Sequence, residues 1–403
     1  MPPMVSDSLP TDLDSSTDRP APRRGGGRVL GKRLQTVVFS LLPMTILLLA
    51  GEVVLRVMKP TWMACVRTHA CPHAEGTPRF VTEQKHNFTL ENEEPLLVFD
   101  PELFWRPRPH VVGTVWSTPG VRTNGLGLRQ HLIDLGRDRV NILVVGDSVV
   151  WGSLVEEHDR FTDVASTLIA HREEFSTAQI INAGVVGYSS HQVFHYLKSR
   201  GMKLFTPRVV VVCVGINDSW RVPMSDAAER AVNQRVGARL RRALQHSDLF
   251  LFLQRCVTEA LLWARTGTNP QGLAFLYPGS STGELVARGT PAETAANFGA
   301  IHDLAEAHHA SLVVMLQATR VEHPQGWDLQ GFAEAQRRIR AMADTNGWLS
   351  IEFAGLADPP WELEPHEYLQ DFCHLSPAGH AIVAQWLVDV LATIPPWSGG
   401  DDS

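Results

Sequence analysis

The chain has 403 residues, with 36 Lys and Arg against 43 Asp and Glu and a formal net charge of −7. Hydrophobic residues make up 44% and charged residues 20%, which excludes a wholly disordered or collagen-like chain and leaves room for two or three domains. The mild acidity gives no electrostatic footprint for nucleic acid. Five cysteines are too few for a disulfide-built scaffold, and a mean hydropathy of −0.07 leaves space for at most one membrane span.

Residues 1–33 are rich in Pro, Ser, Asp, Arg and Gly and read as a disordered tail. Residues 34–57 form an apolar run whose only charges, Glu52 and Arg56, lie near its far end. About twenty residues of helix cross a hydrocarbon core, and Pro43 is tolerable in such a helix. Arg19, Arg23, Arg24, Arg28, Lys32 and Arg33 precede the run, with no acid after Asp18. This asymmetry predicts one transmembrane helix with a cytoplasmic N-terminus and an extracytoplasmic remainder. A cleaved signal peptide is the competing reading, but no small-x-small cleavage site follows the run, so a signal-anchor is preferred.

Residues 58–138 read as a neck and an irregular strand-and-turn lead-in. The neck carries Cys65, His69, Cys71 and His73. Zinc is one reading of this cluster; a small loop closed by a Cys65–Cys71 disulfide is the preferred one, because the compartment is oxidising if the topology holds. The lead-in contains FDPELFWRPRPH and TNGLGLR, rich in Pro and Gly and without a helical period.

From residue 139 to 395, short apolar runs alternate with helical stretches. Strands are predicted at 140–145, 179–182, 209–214, 311–316 and, more weakly, 349–353. Helices are predicted at 161–171, 191–199, 291–309, 331–346 and 378–391. Strands alternating with helices imply a parallel sheet covered on both faces, an α/β fold. A helical insertion at about 220–290 breaks the alternation, with apolar faces from Leu249, Phe250, Phe252, Leu253 and Leu261. It is either a cap over the site or a helical pair on the sheet flank. Residues 396–403 read as a disordered tail.

Ligands of an open parallel sheet bind beyond the carboxyl ends of its strands. The first predicted strand ends in Gly146-Asp147-Ser148, which displays a serine at a helix start. The second ends in Asn182-Ala183-Gly184-Val185-Val186-Gly187, where Gly187 can bring a backbone N–H close to a reacting carbonyl or simply make a turn. The third ends in Gly215-Ile216-Asn217-Asp218, and the Asn217 amide can donate to an oxyanion or cap the following turn. Near the C-terminus stands Asp371-Phe372-Cys373-His374, before a helix start at Ser376-Pro377. A serine nucleophile needs a base, and the base needs a carboxylate to fix its tautomer. Ser148, His374 and Asp371 supply those three types.

These four blocks, GDS, NAGVVG, GIND and DFCH, stand in the order found in the SGNH/GDSL hydrolase superfamily, which the chain resembles from about residue 140 to 391. The resemblance implies a three-layer α/β/α, flavodoxin-like fold with five parallel strands in the order 2-1-3-4-5. It implies Ser148 as nucleophile, His374 as general base and Asp371 as its orienter. The oxyanion donors would be the N–H groups of Ser148 and Gly187 and the side chain of Asn217. Val149 after the serine is a mild departure from the family pattern, and Cys373 between the catalytic pair is either a core residue, the preferred reading, or a redox-sensing thiol. The lead-in, and Arg288 with Pro291 and Asn297, resemble segments of membrane-anchored bacterial members without revealing a role.

The expectation is therefore an extracytoplasmic serine esterase, in the periplasm or at the surface of a bacterium, acting on an ester-bearing small molecule, carbohydrate or lipid. No cofactor, metal or nucleic acid is called for. The alternatives are an O-acyltransferase acting on an envelope carbohydrate with the same residues, and a non-catalytic membrane-tethered binding or assembly protein.

Overall fold

The structure, a computed structural model, describes residues 26–58, 88–90, 96–115, 118–136, 138–222, 224–237, scattered positions of 240–253, 285–320, 326–353, 365–394 and 397. The Cys65–Cys71 pair, His69 and His73, most of the neck, Leu261 and residues 398–403 lie outside the described residues. The chain divides into two compact units, residues 1–58 and 59–403.

In the first unit, helix α1 (Gly26–Met58) contains Pro43. It starts earlier than the sequence suggested, so residues 26–33, expected in the tail, are helical. Leu30, Lys32 and Arg33 are good helix formers that extend the turn structure of the run beside them. The described side chains of α1 begin at Leu42, and Leu42, Ile46, Leu47, Leu49 and Val53 are exposed. Among the described residues no helix is long and apolar enough to cross a membrane, so the span expected at 34–57 draws no support from the structure.

The second unit is built on five strands: β1 (Val140–Gly146), β2 (Ala178–Gly184), β3 (Val209–Cys213), β4 (Ser311–Leu316) and β5 (Leu349–Glu352). All pair in parallel, and their spatial order is β5-β4-β3-β1-β2. This is the predicted 2-1-3-4-5 order. β1 and β3 are apolar along nearly their whole length because each has a neighbour on both edges and a layer on both faces. The pleat sends alternate side chains to opposite faces. Leu143, Val145, Val210, Val212 and Val314 enter one apolar cluster; Ile142, Val144, Val211, Val313 and Met315 enter another.

Helices α2 (Ser148–Trp151), α3 (Phe161–Ala170), α4 (Ser190–Tyr196), α5 (Asp226–Asn233), α6 (Pro291–Ala307), α7 (Leu329–Asn346) and α8 (Pro377–Ala392) follow or bridge these strands. Val193 of α4, Phe298 and Ile301 of α6 and Ile339 of α7 cover the first face. Phe161 and Ala165 of α3 and Val383 and Leu387 of α8 cover the second. The result is three layers, α/β/α. The helix starts are readable chemistry. Thr290, just before Pro291, forms a reciprocal capping box with Glu293 in the first turn of α6, and Ser376 caps α8 before Pro377.

The lead-in forms antiparallel ribbons: Leu97–Asp100 with Phe104–Pro107, and Val112–Val115 between Phe88–Leu90 and Thr118–Arg122. Leu97, Trp105, Val115 and Val121 join the first apolar cluster. The insertion leaves and returns through a two-stranded antiparallel ladder, Arg221–Val222 with Val286–Ala287. α5 is its described helical beginning, and residues 254–284 lie outside the described residues.

Candidate active site

The carboxyl ends of β1, β2 and β3 each release the chain into a short turn, and these turns meet the segment before α8. After β1, Asp147 caps α2 through its own side chain, which accepts from the Val149 N–H at 2.9 Å. That cap sets Ser148 as the first residue of the helix. Close approach at the end of β2 needs a glycine: a Cβ on Gly184 would stand 2.4 Å from the Trp151 nitrogen and 2.7 Å from the Val150 carbonyl carbon. α2 can therefore pack directly on the end of β2.

Ser148 meets its partner from 226 residues away. The His374 Nε2 lies 2.8 Å from the Ser148 Oγ, and the His374 Nδ1 lies 2.6 Å from the Asp371 Oδ2. The other carboxylate oxygen, Oδ1, accepts from the backbone N–H of Cys373 at 2.9 Å and of His374 at 2.7 Å. Asp371 thus folds its own loop into the turn that aims the imidazole. Ser148 is 6% exposed, so the nucleophile is largely shielded from solvent.

The electrostatics of the pair run in one direction. Burial opposes charge on His374, yet its pKa is held well above the ordinary value by Cys373 and Asp371 beside it. Burial also keeps the Cys373 thiol protonated by raising its pKa, so the lasting contribution is the carboxylate. Burial pushes the Asp371 carboxyl up, but the hydrogen bond from His374 and its charge outweigh this and bring it down to about 2. The donor atoms of Asp371, Cys373 and His374 lie within 4.8 Å of one another, but the Asp371 and His374 atoms are already spent on each other. Cys373 is buried with Ile216 and Phe332.

Gly187 and Asn217 come to the same edge. Gly187 has φ of 78°, a left-handed turn that favours glycine. No hydrogen bond among the described residues engages its N–H. Asn217 lies in the turn Ile216–Ser219. Its Nδ2 donates to the Tyr188 carbonyl at 3.1 Å and to the Asp147 Oδ2 at 3.4 Å. The first bond ties the β3 turn to the β2 turn; the second is long enough to yield to a better acceptor.

Three supports of this edge have roles that the sequence does not reveal, although Asp218 lies in the third block and Arg288 stands out by resemblance. Gln317 donates to the Asp147 Oδ2 at 2.9 Å and accepts from the Ile216 N–H at 3.0 Å, linking the Ser148 and Asn217 turns. Burial raises the Asp147 carboxyl to about 6, against the hydrogen bonds from Gln317 and the Val149 N–H. Asp218 accepts from the Ser190 N–H at 2.9 Å and from the Thr294 hydroxyl at 3.1 Å. Arg288 and Asp226 form a buried ion pair beside Gly187 at 2.9 Å. None of these partners is close in sequence, so spacing carries no signal of them. A cavity of about 440 Å³ lined by His110, Arg122, Asn124 and His131 belongs to the lead-in and contains none of the Ser148 cluster.

Residues 144–382 match the model of the GDSL-like lipase/acylhydrolase family, more than half of the chain. No curated protein matches the chain. Among solved structures, the chain is similar to a lipase/acylhydrolase from Enterococcus faecalis, 15% identical over 64% of this chain and 98% of that one, with a TM-score of 0.41. It is also similar to a member of the lipolytic G-D-S-L family from Veillonella parvula, 12% identical over 63% and 100%, with a TM-score of 0.40. The matched span contains Ser148, Gly187, Asn217, Asp371 and His374, and the chain belongs to the GDSL-like lipase/acylhydrolase family.

Proposed function

We propose that this ester-hydrolysing enzyme works through an acyl-enzyme on Ser148. The observation that carries the reading is the continuous relay from Ser148 Oγ to His374 Nε2 at 2.8 Å and from His374 Nδ1 to Asp371 at 2.6 Å. In this mechanism neutral His374 donates its Nδ1–H to Asp371 and accepts the Ser148 hydroxyl proton at Nε2. The Ser148 oxygen attacks the ester carbonyl. The carbonyl oxygen gathers negative charge and is met by the N–H groups of Ser148 and Gly187 and the Asn217 amide, which exchanges its long contact to Asp147 for the oxyanion. The imidazolium returns its proton to the leaving alcohol. Water, deprotonated by the same imidazole, then releases the acid and restores Ser148.

An assembled relay of this kind speaks against a purely non-catalytic binding role. We further place the hydrolase outside the cytoplasm, tethered by the 34–57 segment. That part rests on the apolar run and on the cluster of six basic residues, Arg19 to Arg33, that precedes it with no acid among them. The experiment for the chemistry is ester turnover by Ser148→Ala in the full chain, with circular dichroism as the check on folding. Loss of turnover in a folded protein is expected; undiminished turnover would rule the mechanism out.

A further inference from the structure

We propose that Trp105 and Arg288 are positioning residues that together lock the Gly187 amide in its oxyanion-donating orientation. The inference rests on Gly187 serving as an oxyanion donor, as argued above.

A backbone N–H is aimed by its own peptide plane. The N–H of Gly187 shares a planar trans peptide with the carbonyl of Val186, and the two point in opposite directions. That carbonyl accepts from the Trp105 indole Nε1–H at 3.0 Å. Holding the Val186 oxygen on one side therefore presents the Gly187 N–H on the other. The next peptide is fixed as well. The Gly187 carbonyl accepts from the Arg288 guanidinium Nη1 at 2.6 Å. With the carbonyls on either side of its α-carbon tied down, Gly187 cannot rotate out of its φ of 78°, although glycine alone would be the freest residue in the turn.

The two anchors are themselves held. Trp105 is 1% exposed and Arg288 is 4% exposed, and the guanidinium carbon lies 5.3 Å from the indole ring centre. Arg288 donates to both carboxylate oxygens of Asp226 at 2.9 Å and to Gln192 at 2.5 Å. Gln192 in turn donates to the Leu103 carbonyl at 2.6 Å, in the same turn that delivers Trp105. Tyr188, next to Gly187, closes the ring by donating its hydroxyl to the Trp105 carbonyl at 2.8 Å.

Stability alone is a poor reason for this arrangement. A buried ion pair gives up hydration that its attraction barely returns, and apolar packing often serves as well. What the guanidinium supplies and apolar packing cannot is a fixed fork of donors. One prong reaches Asp226, another Gln192, and a third the loop carbonyl beside the reacting carbonyl's site. The lead-in and the segment that closes the insertion thereby become parts of the catalytic edge.

The test uses the full-length protein and two conservative variants. Arg288→Lys keeps the charge facing Asp226 but loses the fork. Trp105→Phe keeps an aromatic ring but loses the indole N–H. Each is compared with the unaltered protein, with Ser148→Ala as the inactive control, for kcat, KM, thermal midpoint, pH profile and rate of labelling by a fluorophosphonate, whose phosphoryl oxygen uses the same donors. The expected result is a fall in kcat of about tenfold to a hundredfold, short of the loss from deleting a donor. KM and the acidic limb of the pH profile stay in place, and labelling slows in parallel with kcat. Wild-type kcat in both folded variants, with Ser148→Ala inactive, would overturn the clamp alone. So would a loss of kcat that vanishes on cooling to where the variants are fully folded. Wild-type turnover in Ser148→Ala would instead remove the underlying mechanism.

Discussion

At His374, two neighbours decide when the site can work. The imidazole must be neutral to take the Ser148 proton, and Asp371 favours its charged form. The upward shift relative to the ordinary value of 6.5 places the loss of activity on the acid side. kcat/KM is full above the His374 pKa and falls as pH drops through it, with a midpoint above 6.5. Asp371→Asn removes the carboxylate charge, so the limb of that variant should move to lower pH while its maximal rate drops. A profile flat from about pH 5 to 9, with chemistry limiting, would mean that His374 is not the base. Asn217 makes a graded prediction. Its amide is one of three donors, so Asn217→Ala should lower kcat by about 10²–10³ and leave residual activity. Unchanged kcat would assign Asn217 to bridging the turns through Tyr188 and Asp147 only.

Among the secondary-structure elements, the pieces that place Ser148 are short and packed without slack. α2 has four residues and lies against the end of β2 at Gly184, where an added Cβ would meet the backbone of Val150 and Trp151 rather than a movable side chain. Gly184→Ala must therefore push α2 away from β2. The expected cost is about 1–3 kcal/mol of stability, together with reduced kcat as Ser148 leaves the reach of His374. A thermal midpoint and kcat equal to those of the unaltered protein would show that α2 is not held this way. The elements were legible to different degrees for physical reasons. β1, β3 and β4 are buried on both faces, so their apolar runs stand out, and the helices at Pro291–Ala307 and Pro377–Ala392 begin with Pro after a capping hydroxyl. The Ser148, Asn217 and Asp371–His374 blocks could be found because each is contiguous. The roles of Gln317, Arg288 and Trp105 could not, although Arg288 and the segment carrying Trp105 stand out by resemblance, since each reaches its partner through the tertiary fold: Trp105 to Val186 spans 81 residues and Arg288 to Gly187 spans 101.

For the whole molecule, the sheet order and its two helical layers follow from alternating strands and helices, whereas the lead-in looked irregular because its strands are short and rich in Pro and Gly. Its antiparallel ribbons instead contribute Trp105 to the main core and to the Gly187 loop. The proposed anchor makes a separate prediction. Protease added to intact cells with the outer barrier removed should digest the hydrolase unit, and the full chain should sediment with membranes. Protection of that unit would reverse the orientation, and recovery of the full chain in the soluble fraction would remove the anchor. Neither result bears on the chemistry at Ser148.

The most direct measurement of that chemistry is trapping of the covalent intermediate. The full-length protein is treated with a fluorophosphonate, digested and read by tandem mass spectrometry, with His374→Ala and Ser148→Ala in parallel. A stoichiometric adduct on the peptide carrying Ser148 is expected, slowed greatly in His374→Ala and absent in Ser148→Ala, with ester turnover lost as the adduct forms. Full inhibition with the adduct on another residue, or undiminished turnover in protein fully labelled at Ser148, would contradict an acyl-enzyme on Ser148.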